Sequence, residues 1–281
     1  MWVTNSIQFI TWDLTDECSM MNIIKNIQPD EVYNLAAQSF VGSSRDLSKV
    51  TTEVNSLGVL YILNAIKLFS PLTKFYQAST SEMFGNSSQD WIQNEDTPFH
   101  PRSPYAISKL YAYWMTNNFK ESYGIFCCNG ILFNHESPIR GIEFVTRKVT
   151  DWVAKIKHWL ADDIRLGNLE SKRDRWFAGD YVNAMRMMLQ ADSPDNYIVS
   201  TWETHSIREF LDIAFDYVRI KNRDKYVKLD PQFNRPAELF VLQGKHDKAL
   251  RLLWWKPTVQ FKWLVEMMME ADLQRYANRN I

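Results

Sequence analysis

The chain has 281 residues, 46% hydrophobic and 14% aromatic, which is ample to bury one large core or two smaller ones. A formal net charge of −1 at pH 7 excludes the basic footprint of a nucleic-acid binder, although local cations can still hold a phosphorylated small molecule. The three cysteines Cys18, Cys127 and Cys128 imply no disulfide framework, and the polar-interrupted N-terminus reads as neither signal peptide nor membrane span, so a cytoplasmic setting is expected.

In chain order, Ser6 to Trp12 reads as a short strand, and Asp16 to Asn26 as a helix through Met20, Ile23, Ile24 and Ile27 that closes at Pro29. Glu31 to Leu35 reads as a buried strand, Thr51 to Leu68 as an amphipathic helix and Lys74 to Ser79 as the next strand. After a loop with Pro98, Pro101 and Pro104, helix formers fill Tyr105 to Tyr123, and Ile125 to Phe133 resumes as a strand. There Cys127 and Cys128 would point to opposite faces. Beyond Asn134 the pattern loosens into helices near Phe144 to Leu160, Asp180 to Ala191 and Ile207 to Val218, with strands at Ile164 to Gly167 and Tyr197 to Thr201. The alternation predicts an α/β fold, a doubly wound parallel sheet that binds ligands at the carboxyl ends of its strands.

Tyr105-Ala-Ile-Ser-Lys109 places a phenol and an ammonium one turn apart on one helix face. A tyrosine ionises near pH ~10, so service as a base at neutral pH needs a cation that favours the phenolate, and Lys109 is placed to be that cation. About 25 residues upstream, Ala78-Ser79-Thr80-Ser81-Glu82 stands at a strand end, where Thr80 can hydrogen-bond a reacting hydroxyl and Glu82 can exchange a proton. Taken alone, Tyr-x-x-x-Lys occurs often by chance, and the Thr-Ser-Glu segment reads more readily as a capped helix start followed by ordinary surface polars. His100, His158 and His246 lack metal-ligand spacing, so no metal is expected. Met187-Met188, Met267 to Met269 and Trp254-Trp255 read as packing.

The blocks Val32-Tyr33-Asn34-Leu35-Ala36-Ala37-Gln38-Ser39, Phe75-Tyr76-Gln77-Ala78-Ser79-Thr80-Ser81-Glu82 and Cys128-Asn129-Gly130-Ile131-Leu132-Phe133-Asn134-His135-Glu136-Ser137-Pro138 resemble the GDP-mannose 4,6-dehydratases, nucleotide-sugar dehydratases of the extended short-chain dehydrogenase family. Phe144-Val145-Thr146-Arg147-Lys148 and Arg235-Pro236-Ala237-Glu238 extend the likeness, which runs from about Asp13 to Pro257. The resemblance implies a Rossmann-type NADP-binding domain over residues 1–133 and a smaller α/β domain, mainly nucleotide-sugar-binding and partly interwoven with the first, over 134–281. It implies Thr80, Glu82, Tyr105 and Lys109 as catalytic residues. Toward NADP it implies Asp13 and Leu14 at the adenine, Leu35, Ala36, Ala37, Gln38 and Ser39 beneath the pyrophosphate and ribose, Lys109 at the nicotinamide ribose, and His135 and Arg140. Toward GDP-mannose it implies Asn134, Lys148, Arg173, Arg235 and Glu238. A homo-oligomer is expected, with no nucleic-acid or membrane partner.

The sequence also departs from that family. No glycine-rich turn precedes Asp13, so the Rossmann sheet is expected to be N-terminally truncated, with a weakened phosphate cradle and weakened tetramer assembly. Where the family has Arg-Asp-Trp-Gly the chain has Arg173-Asp174-Arg175-Trp176, and Trp202 stands where the family has a glycine before Glu203. Two alternatives stay open: a catalytically inactive subunit that binds a nucleotide sugar or a full-length partner, and a related nucleotide-sugar epimerase or dehydratase.

Overall fold

The computed structural model describes residues 7–86, 92–233 and 241–277. Helix α1 (Glu17–Ile27) starts because the Asp16 carboxylate accepts from the Ser19 amide, and it closes at Gln28 in the left-handed region. Strand β1 (Glu31–Asn34) follows. Next come α2 (Ser48–Thr52), a π turn over Glu53–Leu57 and α3 (Gly58–Phe69), which run on as one helical stretch. Then come β2 (Lys74–Thr80), β3 (Ile92–Gln93), α4 (Pro104–Tyr123) and β4 (Cys127–Leu132). Ser103 caps α4 through the Ala106 amide, Pro104 occupies its first turn, and Gly124 at φ 66° ends it.

The second half runs through β5 (Asn134–Glu136), α5 (Val145–Lys157), β6 (Ile164–Leu166), β7 (Lys172–Arg173), β8 (Arg175–Phe177) and α6 (Ala178–Gln190) to β9 (Asn196–Val199). After it stand β10 (His205–Ser206), α7 (Ile207–Tyr217), β11 (Val227–Leu229), β12 (Val241–Gly244), α8 (Asp247–Leu253) and α9 (Phe261–Ala277).

The main sheet has the order β1-β2-β4-β9 and is parallel throughout. Strand alternation divides its side chains between two cores. Phe75 and Cys127 join Met20, Ile24, Ile62, Ile66 and Phe119 on the α1, α3 and α4 side. Tyr76 and Cys128 join Val153, Tyr181, Phe210 and Met268 on the α5, α6, α7 and α9 side. The adjacent cysteines therefore do face opposite ways, and the doubly wound α/β arrangement predicted from the alternation is the one observed.

Two readings fail at the first edge of the sheet. The sequence predicts a strand over 6–12, but residues 7–12 carry none, and Phe9 is 88% exposed. A strand needs a ladder partner, and no described residue pairs with this stretch. Glu31 to Leu35 reads as buried, yet of β1 only Asn34 is buried, because among the described residues β2 is its one neighbour in the ladder.

Among the described residues three further sheets organise the second half, one of them taking in β3. One has the order β10-β7-β12-β3, and β11–β6 and β5–β8 are parallel pairs. The sequence reading anticipates β6 but none of the other strands of these sheets, because strands of two to four residues carry too few residues to show a period.

Candidate active site

A cleft of about 940 Å³ opens beyond the carboxyl ends of β2 and β4. One wall is local in sequence. β2 ends at Thr80, in register with Leu132 of β4, and the Thr80 hydroxyl oxygen accepts from the Glu82 amide at 3.3 Å, which turns the chain and keeps Glu82 beside it. The start of α4 brings Tyr105 into hydrogen bonding with Thr80. One turn later the Lys109 ammonium donates to the Ala78 carbonyl at 2.8 Å, tying α4 to β2. Thr80, Glu82, Tyr105 and Lys109 all line the cleft.

Electrostatics here follow burial. Desolvation pushes the Tyr105 phenol up to about 12; the Thr80 hydrogen bond and the Arg140 charge act against this, and the Glu82 charge adds to it. Burial brings Lys109 down to about 8, leaving the ammonium predominantly charged at pH 7. The Arg140 charge is one contribution that favours the Tyr105 phenolate; the Lys109 ammonium, to which the sequence assigns that part, gives one of its hydrogens to Ala78. His135 is brought down to about 4 by burial, then by Arg140, with its Phe133 hydrogen bond opposing. Its Nδ1 lies 3.0 Å from the Phe133 carbonyl, an oxygen that only accepts, so the neutral ring carries its proton there.

On the side predicted to hold the cofactor, Leu35, Ala37 and Ser39 line the cleft. Asp13, Leu14, Ala36 and Gln38 line an adjoining depression with Trp12 and Val54, and Ala37 belongs to both. Asp13 accepts from the Thr15 amide and hydroxyl, both at 2.8 Å, which lowers its carboxyl below the ordinary range. The Gln38 side chain is spent on its own loop, donating to the Phe40 carbonyl at 3.1 Å and to Ser43 at 2.9 Å. Leu14 packs so closely on Gly58 that a Cβ there would stand 3.1 Å from the Leu14 carbonyl.

Of the residues predicted to hold the substrate, Asn134, Lys148 and Arg173 line the cleft, as do His135 and Arg140 of the predicted cofactor contacts. Lys148 donates to the Arg165 carbonyl at 2.8 Å and lies 3.9 Å over the Phe233 ring. Its pKa is lowered by partial burial, with Asp230 opposing. The Arg140 guanidinium stacks 3.6 Å over Phe144, whose ring meets Phe40 edge-on at 5.9 Å. Arg235 and Glu238 lie outside the described residues. Among the described residues no cluster of three or more His, Cys, Asp or Glu is arranged to hold a metal, and no helix is long and apolar enough to cross a membrane.

The sequence reading does not single out Arg45, Arg102, Phe40 and Phe144, which also line the cleft, or Arg175, which it notes only as a departure. The signal for Arg175 is its position two residues from Arg173 in an extended stretch, which sends both side chains the same way.

The family model described as GDP-mannose 4,6 dehydratase matches residues 2–268. GDP-mannose 4,6 dehydratase 2 of Arabidopsis thaliana is 50% identical over 266 residues, which cover 93% of this chain and 70% of that protein. The Homo sapiens GDP-mannose 4,6 dehydratase is 46% identical over 280 residues, covering 93% and 75%. Among solved structures, RMD from Pseudomonas aeruginosa complexed with NADPH has a TM-score of 0.86 at 25% identity, covering 95% of this chain and 88% of that one. The dTDP-glucose 4,6-dehydratase DesIV of Streptomyces venezuelae, with NAD bound, shares the fold with a TM-score of 0.84 at 20% identity, covering 97% and 80%. On its sequence and its fold, the chain belongs to the GDP-mannose 4,6-dehydratase family.

Proposed function

We propose that this chain is an NADP-dependent lyase that converts GDP-mannose to GDP-4-keto-6-deoxy-mannose and water. The observation that carries the reading is the convergence of two proton-exchanging groups, Tyr105 and Glu82, with the Thr80 hydroxyl on one cleft wall. An epimerase has no elimination to catalyse.

The residues present fit a dinucleotide. Asp13 and Leu14 offer a carboxylate and an apolar wall for an adenine, Ala36 and Ala37 allow close approach of the ligand, and the Lys109 ammonium, with donors left beyond its Ala78 bond, lines the same cleft as Tyr105 for a ribose hydroxyl. NADP bound there supplies a hydride acceptor for carbon 4 of the sugar and a hydride donor for carbon 6. Thr80 holds the 4-hydroxyl, and Tyr105 takes its proton as the ketone forms. The ketone acidifies the neighbouring C–H, which is why oxidation precedes elimination. Glu82 then takes the carbon-5 proton and delivers it to the 6-hydroxyl, which leaves as water. Tyr105 returns its proton at carbon 5, so the residues end as they began. The Arg140 charge acts in part against the desolvation that raises the Tyr105 phenol.

Residues 1–133 serve mainly the dinucleotide and 134–281 mainly the nucleotide sugar, a division supported by the cleft lining, to which the first contributes Leu35, Ala37 and Ser39 and the second Asn134, Lys148 and Arg173, and blurred by β9, which returns to the main sheet. Self-association is supported by the outward face of α4, where Ile107, Tyr111 and Trp114 are 58%, 38% and 57% exposed. The test is incubation with GDP-mannose and NADP followed by mass spectrometry and trapping of the ketone. A product lighter by one water with no net change in NADP is expected; unchanged GDP-mannose would sink the reading.

A further inference from the structure

Arg173 and Arg175 flank Asp174 in an extended stretch that spans β7 and β8. Their side chains leave the same side of the backbone, and the Asp174 side chain leaves the other. Both arginines are buried, at 5% and 4% exposure, and both line the cleft. The intervening carboxylate turns away, accepting from the Thr201 amide at 2.7 Å, the Thr201 hydroxyl at 2.9 Å and the Trp202 amide at 3.2 Å.

Each guanidinium gives one hydrogen to a backbone carbonyl. Arg173 donates through Nη1 to Lys172 at 2.8 Å, and Arg175 donates through Nη1 to His205 at 2.9 Å. Register places them at successive points along the cleft. Arg175 is opposite Asn134, where the chain leaves β4 and the catalytic wall, while Arg173 is opposite His205 and Leu242. The lining as a whole carries seven Lys and Arg against four Asp and Glu, a field suited to a ligand with two adjacent negative groups.

From this geometry we infer that Arg175 is a second guanidinium contact to the diphosphate of the nucleotide sugar, acting on the catalytic side of Arg173. The inference rests on the functional reading above and adds to it a residue at which this chain departs from the family motif, Arg175 standing where that motif has tryptophan. Two planar forks two residues apart suit two successive phosphate groups, each accepting charge-assisted bonds.

Direct binding tests it without turnover. Titration of GDP and of guanosine into the parent chain and Arg175→Gln, by calorimetry, should show GDP weakened by about 10- to 100-fold and guanosine unchanged. Retained guanosine affinity also reports that the variant is folded. Should Arg175→Gln not fold, Arg175→Lys, which keeps the charge but loses the fork, should show a smaller loss confined to GDP. GDP affinity equal to the parent's, or equal losses for GDP and guanosine, overturns the inference alone. A parent chain that binds no GDP overturns the functional reading with it.

Discussion

Thr80, Glu82, Tyr105 and Lys109 come from one strand end and one helix start, whereas Asn134, Arg173 and Arg175 stand on two- and three-residue strands paired with segments far along the chain. The first wall is fixed by two long elements packed on buried cores, with Lys109 bonded across to Ala78. The second is fixed by pairings such as Leu242 with Arg173, in which little regular structure stands behind each contact. Changes on the first wall should therefore strike chemistry and leave folding alone. Changes on the second should reach stability as well, and the departures from the family, at Arg175 and Trp202, fall on that side.

The largest expected effect tests the first half of this contrast. Tyr105→Phe removes one hydroxyl from a helix whose caps, core contacts and Lys109 bond remain. Turnover of GDP-mannose should fall by about 10²- to 10⁴-fold, the usual worth of a positioned acid/base group. The urea unfolding midpoint should stay where it is. A variant that loses stability along with activity would show that the phenol is also a structural tie and would erase the distinction between the walls.

An intermediate effect is expected behind the second wall. Burial raises the Asp174 carboxyl from the ordinary 3.8 to about 7 despite the donors from Thr201 and Trp202, with the Glu203 charge adding to the rise. The folded protein therefore holds a proton there that the unfolded chain has released. Stability from this site is fully present below about pH 4 and is lost as pH rises toward 7, on the order of 1 kcal/mol per pH unit. Asp174→Asn keeps the shape, can accept both backbone amides on its oxygen and can donate to the Thr201 hydroxyl, and it no longer titrates. The variant should gain on the parent steadily from pH 4 to 7 in urea unfolding and hold a constant lead above that. A parent and variant with parallel pH profiles would mean that Asp174 stays ionised in the fold.

How much of this was legible follows from the same contrast. Tyr105 and Lys109 could be placed together because four residues on a helix make one turn, and Cys127 and Cys128 on opposite faces because a strand alternates. No comparable rule pairs β7 with β12 across about 70 residues, and a charged stretch such as Arg173-Asp174-Arg175 reads by composition as solvated surface although all three residues are buried. The same blindness hid the tie between α5 and α9, where Arg147 reaches the fully buried Asp272 at 2.8 Å. Hydropathy cannot anticipate a charge whose partner lies that far along the chain. The expected strand at residues 6–12 failed for the reverse reason: its apolar pattern was present, but a strand is completed only by its neighbour.

The smallest effect isolates one backbone angle behind the second wall. Trp202 stands at φ 71°, a left-handed conformation that costs a residue with a Cβ roughly 1–2 kcal/mol. Its ring is 44% exposed and lies edge-on to His246 at 6.0 Å, with the Lys245 ammonium 5.3 Å from its centre. Replacing it by glycine alone would mix loss of these contacts with relief of the angle. Trp202→Gly and Trp202→Ala lose the same ring, so the difference between them reports the backbone. In most extended or helical positions alanine is the more stable of the two, because glycine is freer when unfolded. Here the order should invert, with the glycine variant more stable by about 1 kcal/mol in urea unfolding. A more stable alanine variant would mean that residue 202 relaxes out of the left-handed region once the indole is gone. In that case the contacts of the ring with Lys245 and His246, and not the path of the chain after β9, hold the angle.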